Sequence, residues 1–346
     1  MKLFRFLVPL LLMGCAAQAQ EHASYGKLGR YAEADGGGQT FAWPASGVEA
    51  HFIGTSLVAH IDESGTSLMD LDVDGTMTQL QLQSGLHDYT LFSSPTRADH
   101  YVRLTRRSEV GSGLTTIRSL TLDGDWRPLP MHGHRILFIG DSITVGYGAA
   151  GADEHCHYSA ETSPPFDSYA ARTAAAFDAE FHVVAISGRG VVRNYDGFEA
   201  PHMSELIDAA LPDHADKQWD AAQFSPELIV INLGANDFST ADPGPTFEPT
   251  YLAMLRTLHT RYPNARIITA FGPEDRTQDA IPRITAITAA YNREATQPIS
   301  FIYLPRATSG RIYGCDWHPG EDTQNLMAQA LEAKIVHDLG WRTLTR

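Results

Sequence analysis

Between residues 25 and 125 apolar and polar positions alternate in short runs. Val48-Glu49-Ala50-His51-Phe52-Ile53, Ser56-Leu57-Val58-Ala59-His60-Ile61 and Met69-Asp70-Leu71-Asp72-Val73-Asp74 are the clearest, and 79–82, 100–105 and 114–120 repeat the pattern. A period of two puts one kind of side chain on each face of an extended chain, as in a half-buried strand. Turn signals separate the runs: Asp35-Gly36-Gly37-Gly38, Asp62-Glu63-Ser64-Gly65, Asp74-Gly75 and Asp123-Gly124. Many short strands at this spacing predict an antiparallel β-sandwich, jelly-roll-like, over 21–125.

The texture then changes. A linker at 126–133, with Pro128 and Pro130, leads into apolar runs at 136–139, 181–186, 228–233, 265–271 and 299–304. Helical periodicity lies between and after them, at 166–177, 203–211, 247–262, 281–296 and 321–339. Strands alternating with helices predict a three-layer α/β/α domain with a parallel sheet over 134–346.

The amino terminus reads as a targeting segment. Lys2 and Arg5 precede the apolar stretch 6–13, and Ala17-Gln18-Ala19 offers a small-x-small cleavage site, which predicts a signal peptide over 1–20. Leu12-Met13-Gly14-Cys15 supports a second reading, a bacterial lipoprotein box with Cys15 as the lipid anchor. Both readings export the protein from a bacterial cytoplasm, secreted or periplasmic in one case and membrane-anchored in the other. The formal charge of −15 excludes nucleic acid as a partner, since phosphates would be repelled.

The first apolar run of the second half ends in Gly140-Asp141-Ser142, which places Ser142 at the carboxyl end of a strand, where such sheets present ligands. A serine hydroxyl attacks carbonyls only when a base takes its proton. Three later blocks supply the missing parts: Ser187-Gly188-Arg189-Gly190, Gly234-Ala235-Asn236-Asp237 and Asp316-Trp317-His318-Pro319. Each also has a plainer explanation, Ser142 as a helix cap and Gly188, Gly190 and Asn236 as turn residues. His318 is one of 15 histidines and draws its weight from its place after the last strand. Asp237 reads as structural, bonding nearby backbone N–H groups. His155 and His157 flank Cys156 without a partner pair at ligand spacing, so no metal site and no cofactor are predicted.

The order and content of these blocks resemble the SGNH (GDSL-like) hydrolases. A sandwich, a Pro-containing linker and the fuller blocks Gly140-Asp141-Ser142-Ile143-Thr144-Val145-Gly146-Tyr147-Gly148 and Gly314-Cys315-Asp316-Trp317-His318-Pro319 resemble carbohydrate esterase family 2 more narrowly. The resemblance implies removal of O-acetyl groups from xylan, mannan and related plant-wall sugars. It implies Ser142 as nucleophile, His318 as base, and an oxyanion hole formed by Ser142 and Gly188 N–H groups with the Asn236 amide. It implies Asp316 as the third member of a Ser142-His318-Asp316 triad, although Asp316 stands two residues before His318, where most SGNH members have a spacing of three; within family 2 the orienting group is such an Asp or a main-chain carbonyl. Trp317 is a candidate for stacking on a sugar ring, with packing as the alternative. Cys156 and Cys315 follow the Ser142 block and precede Asp316, in loops expected at the same end of the sheet, and are predicted to form a disulfide in an oxidising compartment. Two other functions remain open on sequence: an SGNH lipase, lysophospholipase or thioesterase for longer acyl chains, and a non-catalytic carbohydrate-binding protein.

Overall fold

The alternating half of the chain folds as a single antiparallel sheet. In the computed structural model, which describes residues 25–212, 214–274 and 279–344, it consists of β1 (Gly26–Leu28), β2 (Ala32–Glu33), β3 (Gln39–Phe41), β4 (Gly47–Glu63), β5 (Leu68–Val73), β6 (Thr76–Gln81), β7 (Gly85–Arg106) and β8 (Thr115–Trp126). The strand order is β2-β3-β8-β4-β7-β5-β6, with β1 added to β4. The targeting segment, Cys15 included, lies outside the described residues.

Strands β4 and β7, 17 and 22 residues long, serve two layers. The start of β4 pairs with β1 and with the end of β7, which also carries β5; the later part of β4, from Phe52, carries β8. Register shifts between Gly54 and Ser56 and between Leu57 and Val58 bend the long pair. The sheet thus folds over on itself, and Phe41, Phe52, Leu57, Ile61, Met69 and Leu104 fill the space between. This is the expected sandwich.

The second half is a five-stranded sheet, all parallel, built from β9 (His134–Gly140), β10 (Ala179–Ala185), β13 (Leu228–Asn232), β14 (Arg266–Phe271) and β15 (Ser300–Tyr303) in the order β10-β9-β13-β14-β15. A small hairpin, β11 (Ala209–Leu211) and β12 (His214–Gln218), stands apart. A one-turn helix α1 (Ser142–Val145) follows β9. Helices α2 (Tyr169–Ala176) and α6 (Glu321–Leu339) pack one face of the sheet, and α3 (Met203–Leu206), α4 (Phe247–Arg261) and α5 (Ala280–Glu294) the other. Buried on both faces, the strands carry continuous apolar runs such as Leu228-Ile229-Val230-Ile231.

Some expected elements are different: Asp123-Gly124, read as a turn, lies inside β8, and the runs 48–53 and 56–61 are one strand, β4. The helix over 203–211 stops at Leu206, and Ala209–Leu211 is β11. Its backbone is claimed from outside: Arg30 Nη1 donates to the Ile207 and Ala209 carbonyls at 2.7 and 2.9 Å, and Trp43 Nε1 to the Ala210 carbonyl at 3.0 Å. Tertiary partners here outweigh helix periodicity.

Those two side chains come from the antiparallel domain. Trp43 is fully buried among Leu137, Ile139, Ile229 and Ile231, so it belongs to the core of the parallel-sheet domain. Arg107, just past β7, donates to the carbonyls of Ala160 and Glu161. The amino-terminal domain therefore completes the core of its neighbour. Among the described residues no helix is long and apolar enough to cross a membrane.

Candidate active site

Strand β9 delivers Gly140, Asp141 and Ser142 to the carboxyl edge of the parallel sheet. A Cβ on Gly140 would lie 2.0 Å from Thr144 Oγ1, so the turn into α1 needs glycine there. The helix cap is Asp141, whose Oδ1 accepts from the Ile143 N–H at 3.1 Å. Ser142 is thus the first helical residue and not the cap, which leaves its hydroxyl free for another partner.

That partner is His318. Ser142 Oγ lies 2.9 Å from His318 Nε2, and His318 Nδ1 lies 3.1 Å from the main-chain carbonyl of Asp316. A carbonyl only accepts, so the neutral ring carries its proton on Nδ1 and turns the Nε2 lone pair toward the serine. The Tyr147 ring stacks on the imidazole, with centroids 4.1 Å apart.

The Asp316 carboxylate does not touch His318. Its Oδ2 accepts from Tyr147 Oη at 2.7 Å and from the Tyr158 N–H at 3.1 Å, and its Oδ1 pairs with His157 Nδ1 at 2.7 Å. The reason is conformational. Asp316 and Trp317 both adopt left-handed backbone, φ 52° and 64°, and this tight turn brings the carbonyl of residue 316 back to the ring while its side chain points away. The expected carboxylate triad is therefore corrected: the structure sets the Asp316 main-chain carbonyl, not its carboxylate, against His318.

The loop is pinned. Cys315 is bonded to Cys156 with Cα atoms 4.5 Å apart, the Asp316 N–H donates to the Cys156 carbonyl at 2.9 Å, and the Cys315 N–H to the Gly148 carbonyl at 3.1 Å. A Cβ on Gly151 would sit 2.5 Å from Cys315 Sγ. Trp317 projects outward, 56% exposed, with Tyr313 and His155 at its edges.

The opposite wall is the turn after β10. The Arg189 N–H bonds back to the Ile186 carbonyl, and Gly188 takes φ 78° in the position of a type II turn that requires it. Among the described residues neither the Ser142 nor the Gly188 N–H donates to a protein acceptor. The Asn236 amide does: Nδ2 donates to the Arg189 carbonyl at 2.9 Å and to Asp141 Oδ2 at 3.2 Å. Asp237 accepts from the N–H groups of Val191, Val192 and Arg193, the structural role expected of it. Among the described residues no group of three or more His, Cys, Asp or Glu could hold a metal ion.

Comparison with known proteins agrees with this arrangement. Residues 138–302 match the GDSL-like Lipase/Acylhydrolase family, and residues 27–131 match the Carbohydrate esterase 2 N-terminal family. An acetylxylan esterase / glucomannan deacetylase of Cellvibrio japonicus is 30% identical, over 91% of this chain and 88% of its own length. The chain belongs to carbohydrate esterase family 2. A cellulase/esterase of Acetivibrio thermocellus, CelE, is 31% identical over 90% of this chain, which spans 39% of the length of CelE. The structure of a family two carbohydrate esterase from Clostridium thermocellum in complex with cellohexaose superimposes with a TM-score of 0.85 at 30% identity, covering 92% of this chain and 99% of the other.

Electrostatics of the site follow from the burial of His318 and Asp141 and from the hydrogen bonds on Asp316. Burial lowers the His318 imidazole below its ordinary range, against hydrogen bonds to the backbone of Asp316 and Cys315 that raise it. Burial pushes Asp141 up to about 7, with Glu274 and Asp237 adding to the rise and the Ile143 N–H opposing it. Burial also raises the Asp316 carboxyl, but hydrogen bonds from His157, Tyr147 and Tyr158 outweigh it and leave the group below the usual carboxylate range. Two participants carried no sequence signal for their part: Tyr147, although it stands inside the Ser142 block, and Glu109, which reaches Ser187 from the amino-terminal domain.

Proposed function

We propose that the chain is an exported serine esterase that removes O-acetyl groups from plant-wall polysaccharides or oligosaccharides, of acetylxylan or acetylmannan type. The observation that carries this reading is the 2.9 Å contact between Ser142 Oγ and His318 Nε2, with Nδ1 committed to a carbonyl. In the reading, His318 accepts the hydroxyl proton as Ser142 attacks the acetyl carbonyl. The tetrahedral oxyanion is met by the Ser142 and Gly188 N–H groups, both free of protein acceptors among the described residues. Asn236 joins by exchanging its longer bond, the one to Asp141, for the oxyanion. His318 then gives that proton to the departing sugar oxygen, leaving Ser142 acetylated, and water, activated by the same imidazole, cleaves the acetyl-serine ester to release acetate and restore the hydroxyl. The reading is a Ser142–His318 dyad oriented by the Asp316 carbonyl, with the exposed Trp317 face available to a sugar ring.

Substrate class rests on the Cellvibrio japonicus relative, named an acetylxylan esterase / glucomannan deacetylase. Export rests on the leader and on the Cys156–Cys315 bridge, which suits an oxidising compartment. The test is acetate release from acetylated xylan and glucomannan by wild type and Ser142→Ala. Release by wild type and only trace release by the variant is expected; equal release by both overturns the assignment. Aryl esters of rising chain length should be cleaved progressively more slowly beyond acetate, and a preference for long acyl chains would favour a lipase-type activity.

A further inference from the structure

We propose that Glu109, carried by the amino-terminal sheet domain, is a positioning residue for the oxyanion loop of the esterase site. Its carboxylate spans both hydrogen-bonding groups of one residue: Oε1 accepts from Ser187 Oγ at 2.7 Å and Oε2 from the Ser187 N–H at 3.3 Å. Ser187 is the residue before Gly188 in the type II turn, so fixing its side chain and its amide together sets the peptide plane that presents the Gly188 N–H. The inference rests on the esterase reading given above and adds a part contributed by the other domain.

Three observations support it. First, Glu109 is 7% exposed and makes no ion pair among the described residues, while burial pushes its carboxyl up to about 7. Burying a carboxylate without a cation is costly, and such groups concentrate where function needs them. Second, the segment that carries it is rigidly held. The fully buried Arg106 donates to the carbonyls of Ser108, Glu109 and Gly113, and Arg107 ties the same segment to Ala160 and Glu161 of the hydrolase domain. Third, the position faces both walls of the site. The Glu109 N–H donates to Tyr158 Oη at 3.3 Å, and the Tyr158 N–H donates to Asp316 in the histidine loop. One buried residue thus holds the loop that presents Gly188 directly and reaches the loop that presents His318 through Tyr158.

The test uses the full chain and compares kcat and KM on an aryl acetate for wild type, Glu109→Ala, Glu109→Gln, Ser187→Ala and Glu109→Ala/Ser187→Ala, with Ser142→Ala alongside. A donor misplaced by about an ångström costs on the order of 10²-fold, so Glu109→Ala should lose about 10²-fold in kcat with KM changed less than about threefold. If Glu109 acts through Ser187, the double variant should be no slower than the slower single one. Losses that multiply, or a loss carried by KM, overturn the inference. Should Glu109→Ala fail to fold, Glu109→Gln and Ser187→Ala carry the test. Glutamine keeps both contacts, its Oε1 accepting from the Ser187 N–H and its Nε2 donating to Ser187 Oγ, so Glu109→Gln should stay within about threefold of wild type, while Ser187→Ala removes the hydroxyl link and should lose about tenfold in kcat. Wild-type kcat in Ser187→Ala overturns the inference. Activity surviving in Ser142→Ala would instead strike the esterase reading itself, so the two failures are distinguishable.

Discussion

Replacing Asp316 by asparagine separates a dyad from a triad. Two of the three hydrogen bonds on the carboxylate fall on one oxygen, Oδ2, from Tyr147 and Tyr158, and an asparagine carbonyl can accept both. The third partner, His157, is 90% exposed at its side chain, so its pairing with Oδ1 contributes little. Asparagine also tolerates the left-handed backbone at φ 52°, whereas alanine there would add about 1–2 kcal/mol of strain. The main-chain carbonyl that faces His318 Nδ1 is untouched, so the imidazole keeps its tautomer. Asp316→Asn should therefore lose less than about tenfold in kcat, or about 1.4 kcal/mol. In a triad the same change would put an amide N–H against the ring, force the wrong tautomer and cost about 10⁴-fold. Initial rates on an aryl acetate, at a pH where His318 is neutral, decide between them. A loss of 10³-fold or more would mean that the carboxylate does the orienting and that the carbonyl contact is incidental.

Titration of the His318 ring by NMR, assigned against His318→Gln, should give a midpoint below ~6.5, because burial disfavours the charged form; a midpoint at or above that value would contradict the buried setting. Since only the neutral ring is a base, activity should persist below the usual imidazole range and fall as pH drops through the lowered midpoint. Asn236→Ala should reduce kcat by about 10²–10³ with a smaller effect on KM, and a loss under about threefold would confine Asn236 to holding Asp141 and Arg189 together. The fragment 127–346 lacks Trp43, Arg30, Arg107 and Glu109. Loss of a buried tryptophan alone costs about 3–5 kcal/mol, so the fragment should show no cooperative thermal unfolding near that of the full chain; a wild-type Tm together with full activity would show the two domains to be independent.

What could be read from the sequence was what has a local cause. Helix α6 begins and ends where periodicity put it, and the five strands of the parallel sheet lie under their apolar runs, whereas in the antiparallel sheet the runs 48–53 and 56–61 merge into β4 and the first part of β7 carried no run of its own. The Ser142–His318 pair was legible because each residue follows a strand, with a distinctive neighbour. Contacts between domains left no such trace. Nothing about Trp43 says that it completes the core of a sheet beginning 91 residues later at His134, or about Glu109 that it reaches Ser187. The end of α3 was hidden for the same reason, since the groups that claim the backbone at 207–210 lie about 170 positions upstream, at Arg30 and Trp43.

The two-residue spacing of Asp316 and His318 now has a physical reading. Folding back over so short a span requires two consecutive non-glycine residues in left-handed backbone, at about 1–2 kcal/mol each. That cost is offset by what holds the turn: the Cys156–Cys315 bond, the backbone bonds to Gly148 and Cys156, and a close approach to Gly148, where a Cβ would lie 2.8 Å from Cys315. What the turn gives in return is a backbone acceptor that cannot titrate and cannot rotate away, in place of a carboxylate that can do both. The carboxylate is then free for a second task, anchoring the Tyr147 hydroxyl so that its ring covers the imidazole. The same turn drives Trp317 outward beside His318. Orientation of His318, its covering from water and the aromatic at the cleft mouth are in this sense consequences of one strained loop.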